Sequence, residues 1–232
     1  MKPYNNSPRK LLMLVVALLS VVAVANVEKV VFTGPAPVGK SLAEAVLSHV
    51  DIAALAPHWP WMRSNLSRVF PMNNAKGHPS WLLLDGLQHG QKYEVRVCWA
   101  AIEPTKFEFD VYELGHVWES QELGQSLAQY AVQGQPDAAV FSHQEQTSAL
   151  LFRVEAAADY FSHNVELMTY PPPVLVDIIL DPYLLGVFPR SLVPTACYLI
   201  IVAFMTYLAA RCIISTLQSV ATSIEGQPKK QD

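Results

Sequence analysis

Two kinds of hydrophobic patterning share this chain: short alternating runs through its middle and long unbroken blocks toward its ends. Tyr93, Val95 and Val97 alternate with Glu94 and Arg96, and Phe107, Phe109 and Val111 alternate with Glu108 and Asp110. Period-2 alternation sends successive side chains to opposite faces, so each run predicts a half-buried strand. Trp81–Leu84 is a short apolar run ending in the Asp85-Gly86 turn signal, and His89-Gly90 supplies another turn. Glu28–Thr33, Ala149–Val154 and Val174–Leu180 are further strand candidates, the last approached by the stiff extended segment Pro171-Pro172-Pro173. Ser41–His49 and Ser120–Val132 carry apolar residues three and four apart, the spacing of a helix face. Trp59–Met62 (WPWM) reads as a loop with exposed aromatics.

The stretch L-x-x-G-x-x-Y-x-V-x-V, from Leu87 to Val97, resembles the E–F corner of fibronectin type III and immunoglobulin-like sandwiches. There a tyrosine hydroxyl bonds back to the backbone just upstream, a role that would fall to Tyr93. An ordinary antiparallel hairpin is the alternative. The expected fold is mostly β: an immunoglobulin/fibronectin-III-like β-sandwich with one or two short helices, followed by a single transmembrane helix.

The two apolar blocks set the topology. Leu11–Ala25 is 15 residues without a charge, preceded by Lys2, Arg9 and Lys10 and ending in Ala23-Val24-Ala25. It is shorter than the ~20 residues of a spanning helix and reads as a secretory signal cleaved after Ala25. An uncleaved anchor is the other reading. Leu192–Ala210 is 19 uncharged residues, enough to cross ~30 Å of hydrocarbon at about 1.5 Å per residue. Arg211 follows as a positive cytosolic stop. Four segments result: a signal peptide at 1–25, a luminal β-rich domain at 26–191, a span at 192–210 and a cytosolic tail at 211–232. Lys229 and Lys230 resemble a dilysine retrieval signal of the endoplasmic reticulum, an address and not an anchor.

Composition narrows the classes. Only 16% of residues are charged and the net charge is −4, which argues against nucleic-acid binding. Cys98, Cys197 and Cys212 are too few and too scattered for a disulfide framework or a zinc site. Cys98 is the single luminal cysteine, either a buried thiol or an intermolecular link. No histidine pair stands at metal-ligand spacing, so neither a metal nor a cofactor is expected. No nucleophile elbow, HExxH, P-loop or dinucleotide fingerprint occurs. Glu108 and Asp110 share a face at i and i+2, but that face is the solvent side of a half-buried strand, so no catalytic pair is assigned. Asn65-Leu66-Ser67 is an N-glycosylation sequon in the luminal part.

Tyr93–Leu114 (YEVRVCWAAIEPTKFEFDVYEL) and Leu180–Tyr198 (LDPYLLGVFPRSLVPTACY) together resemble the fungal accessory subunits of glycosylphosphatidylinositol (GPI) mannosyltransferase II. The resemblance implies a glycosylated single-span protein of the endoplasmic reticulum membrane. It also implies a separate multi-span catalytic subunit as partner, one that adds the second mannose to the GPI precursor. The resemblance carries no catalytic residue to this chain. Between domain and span, Tyr183, Leu184, Leu185, Val187 and Phe188 form an apolar stretch, expected either to dock on the catalytic subunit or to lie among the lipid headgroups. The alternative function is a type I cargo receptor cycling between endoplasmic reticulum and Golgi. Proline-rich sequence before the membrane, in place of a heptad stalk, counts against the p24 type of such receptors.

Overall fold

The computed structural model describes residues 25–39, 46–47, 50–71, 76–132 and 146–225. Most of the leader, most of Ser41–His49, and Lys229 with Lys230 lie outside the described residues. The chain divides into two units, one ending at Leu180 and one beginning at Asp181.

The first unit is a sandwich of two sheets. The first sheet orders β1 (Ala25–Thr33), β6 (Lys92–Ala100) and β10 (Val174–Leu184), with β4 (Trp61–Leu66) also paired to β10. β1 runs antiparallel to β6 with Val30 opposite Val95, and β4 runs antiparallel to β10 with Arg63 opposite Asp177. The second sheet orders β3 (Ala54–Leu55), β5 (His78–Leu84), β9 (Leu150–Ala158) and β7 (Thr105–Glu113). Its β3–β5 pair is parallel and its other pairs are antiparallel. A two-stranded ribbon joins β2 (Val38–Gly39) to β8 (Gln146–Thr147).

The predicted alternation places the core between the sheets. Tyr93, Val95, Val97 and Trp99 of β6 and Val174, Val176 and Ile178 of β10 meet Leu82, Leu84, Phe107, Phe152 and Val154 of the second sheet. The second sheet has another cover. Helices α1 (Leu114–Glu119) and α2 (Gln121–Val132) lay Leu114, Val117, Leu123, Leu127 and Tyr130 on its far face, against Trp81, Leu83 and Leu151. Every residue of β9 except Arg153 is buried. That is why β5 and β9 read as continuous apolar runs: a strand covered on both faces has no solvent side to keep polar.

One prediction is corrected. Trp59–Met62 is not a loop throughout, because Trp61 and Met62 open β4 and Trp59 bridges Ala56. The aromatics are nonetheless exposed, Trp59 by 67% and Trp61 by 49%. Ser120–Val132 is helical as expected, in α2 from Gln121, and a short helix α3 (Val165–Thr169) follows β9. Arg68, buried at one end of the sandwich, donates to the carbonyls of Pro172 at 2.6 Å and Pro104 at 3.3 Å and to Thr105 Oγ1 at 2.7 Å. Those acceptors, with the Tyr160 ring 5.3 Å beneath the guanidinium, satisfy a cation that has no carboxylate among these contacts.

The second unit holds the end of β10, β11 (Phe188–Pro189), a 3₁₀ turn (Arg190–Leu192), and α4 (Val193–Glu225). The stretch Arg190–Ser219 is long and apolar enough to cross a membrane. At about 1.5 Å per residue it measures ~45 Å, against ~30 Å of hydrocarbon. The helix therefore does not stop at Arg211, where the sequence placed the membrane boundary, but runs on for about four turns.

Candidate functional site

The corner before β6 is held by its tyrosine. The Gln88 N–H donates to Tyr93 Oη at 3.0 Å, and the ring is buried and stacked on Phe32. The corner loop also grips the end of β1: Gly34 N–H donates to Gln91 O at 2.8 Å, and Gly90 N–H donates to Gly34 O at 3.0 Å. A Cβ on Gly34 would fall 2.1 Å from Gln88 O, so only glycine allows this approach.

The outer face of the first sheet is exposed along β4 and the facing part of β10, while on β6 Glu94 is buried and paired with Lys29 Nζ at 3.1 Å. On β4 it presents Trp61, Arg63 and Asn65, register partners of Ile179, Asp177 and Leu175 on β10. Arg63 and Asp177 form a bidentate pair, Nε to Oδ1 at 2.7 Å and Nη2 to Oδ2 at 2.9 Å. The hydrogen-bonded guanidinium holds the Asp177 carboxyl below its ordinary value. Beside this pair lies an open groove of about 310 Å³, lined by Arg63, Cys98, Trp99, Glu103, Leu175 and Asp177 among others. Cys98 sits half-buried in it, opposite Val27 of β1, and burial pushes its thiol pKa up. That direction makes it a poor nucleophile at neutral pH. Asn65 is exposed at the edge of the same face.

Glu108 and Asp110 lie on the outward face of the second sheet, beyond the helices. Glu108 is held by Lys76 at 3.3 Å and Lys106 at 3.0 Å, which keep its carboxyl below the ordinary value. Its register partner Glu155 is buried and paired with Arg153, and burial pushes the Glu155 carboxyl up. No sequence pattern marks Glu155, whose place beside Glu108 depends on the register between strands more than 40 positions apart. The lysines and Arg153 make this an ion-pair network. Among the described residues no group of three or more His, Cys, Asp or Glu side chains is placed to hold a metal ion.

In the second unit, the apolar stretch Tyr183–Phe188 is a hairpin. Tyr183 pairs with Pro189 and Leu184 with Phe188, and Val187 N–H donates to Leu184 O at 3.0 Å. The turn is made by two consecutive left-handed residues, Leu185 at φ +52° and Gly186 at φ +68°. That geometry normally selects Asn, Asp or Gly, and a leucine there stores about 1 kcal/mol or more of strain. The strained side chain is also 96% exposed, and Val187 beside it is 72% exposed. Just behind the tip, the buried Asp181 carboxylate accepts from Ser191 N–H at 3.2 and 3.3 Å, in the 3₁₀ turn that opens α4. An anion at that end also suits the helix dipole. The sequence did not single out Asp181, because its acceptor role depends on the hairpin folding back on itself.

A family model described as GPI-mannosyltransferase II co-activator matches residues 16–213. The chain is also similar to a protein of Schizosaccharomyces pombe named as a GPI mannosyltransferase 2 subunit, at 25% identity over 117 residues. That match spans 50% of this chain and 46% of the relative, so the chain covers about half of the relative's length. No solved structure matches the chain.

Proposed function

The chain belongs to the family of GPI-mannosyltransferase II co-activators, and on that premise we propose that it is a non-catalytic, stabilising subunit of that mannosyltransferase complex. Its sandwich faces the lumen of the endoplasmic reticulum, and α4 crosses the membrane once. The partner is a multi-span catalytic subunit, which adds the second mannose to the GPI precursor. The one spanning candidate among the described residues is too little membrane-embedded structure to hold a lipid-linked donor and a lipid-linked acceptor together, which supports assigning the chemistry to the partner.

The observation that carries the docking surface is Leu185. A leucine held at a left-handed turn position and almost wholly exposed adds nothing to the stability of its own hairpin. Such strain persists where function requires the side chain. Leu184, Leu185, Val187 and Phe188, with Tyr183 at the hairpin's base, dock on the luminal side of the catalytic subunit. Depletion of the protein in its native cell, followed by mass spectrometry of the GPI precursors, tests the role. A species with one mannose should accumulate and should disappear when the protein is restored. A normal precursor profile would sink the assignment.

A further inference from the structure

The groove on the outer face of the first sheet has one acceptor for a covalent ligand at its edge. Asn65, of the sequon Asn65-Leu66-Ser67, is exposed and is the direct register partner of Leu175. Directly opposed residues in an antiparallel pair have Cβ atoms about 4.5–5.5 Å apart. Leu175 is 44% exposed and lines the groove. Arg63, two residues before Asn65 on the same face, lines it too and is tied to Asp177. Cys98 lies on β6, the strand beyond β10, and lines the same groove as Leu175. The outward side chains are mixed: Leu175 is apolar, beside Arg63, Glu103, Asp177 and the Cys98 thiol. That mixture suits a ring with an apolar face, an acetamido methyl and several hydroxyls. The volume, about 310 Å³, lies at the small end for a ligand pocket.

We infer that this groove is the seat of the chain's own N-linked glycan, with the Asn65-attached N-acetylglucosamine packed on Leu175 and its neighbours over Arg63, Asp177 and Cys98. The glycan covers the exposed apolar surface of Leu175. It is built in and does not compete with a substrate. The inference rests on the luminal placement proposed above, because only the lumen holds the transferase that modifies sequons.

The test uses the full chain in detergent with Cys197→Ser and Cys212→Ser, so that Cys98 is the single thiol. Maleimide labelling of Cys98 is timed at fixed pH in four forms: fully glycosylated, trimmed to one N-acetylglucosamine, fully deglycosylated, and Ser67→Ala. The first two should label several-fold more slowly than the last two. Equal rates in a chain that does carry the glycan would overturn the seat. A companion chain with His89→Asn and Gln91→Thr places a second sequon in the exposed corner turn. If that sequon is modified and Asn65 is not, the seat fails and the luminal placement stands. If neither is modified, both fail.

Discussion

The two sheets of the sandwich share a core and differ in everything behind it. The second sheet is covered on its far face by α1 and α2, and its central strands are buried along nearly their whole length. Among the described residues no helix covers the far face of the first sheet, which carries the exposed Trp61, Arg63, Asn65 and Leu175 and the half-exposed Asp177. One sheet is therefore almost pure scaffold. The other divides its residues between holding the fold and facing whatever lies outside. Binding surface is available only where the second face is left uncovered.

The contrast can be broken at its strongest point first. Phe152→Ala, in the doubly covered sheet, should cost about 3–5 kcal/mol in a denaturant titration of the folded sandwich. Leu175→Ala, on the open face, should cost well under that, and equal losses would erase the distinction. Tyr93→Phe comes next. It removes the acceptor of the Gln88 N–H and should cost about 1–2 kcal/mol with the core intact. A loss near zero would mean the corner is held by the Gly34 contacts alone.

Leu185→Asn moves stability and function in opposite directions. Relief of the left-handed strain should raise stability by up to about 1 kcal/mol, while co-purification with the catalytic subunit falls. Unchanged co-purification would remove the hairpin from the interface. The smallest effect concerns acid. Asp177 has its pKa lowered in the folded state, so its contribution is present above the unfolded carboxylate value and disappears as pH falls through the lowered folded value. The pair is solvent-facing, so the change should be slight and should shrink in salt. Asp177→Asn should remove that pH dependence and leave the midpoint at neutral pH nearly unchanged.

Much of this was legible because it is local. Tyr93, Val95 and Val97 announce their strand by alternation, the Leu87–Val97 spacing places Tyr93 at the corner, and Leu192–Ala210 announces a long apolar helix by composition. What escaped depends on distant pairing. Trp61 and Met62 contain no alternation that marks a strand, and they become one through β10, with Trp61 opposite Ile179. Glu155 looks like one more acidic residue until the register puts it beside Glu108. The Leu185 hairpin lacks the Asn-Gly or Asp-Gly that usually flags such a turn, because the side chain there works against the local backbone preference.

The Asp181–Ser191 contact has a consequence for orientation. Since the carboxylate behind the hairpin clasps the first turn of the helix, the hairpin tip points along a fixed compass bearing around the helix axis. Successive residues along that axis are offset by about 100°. If a partner grips Leu185 and α4 crosses the bilayer, as proposed, that one contact also selects which meridian of α4 the partner meets.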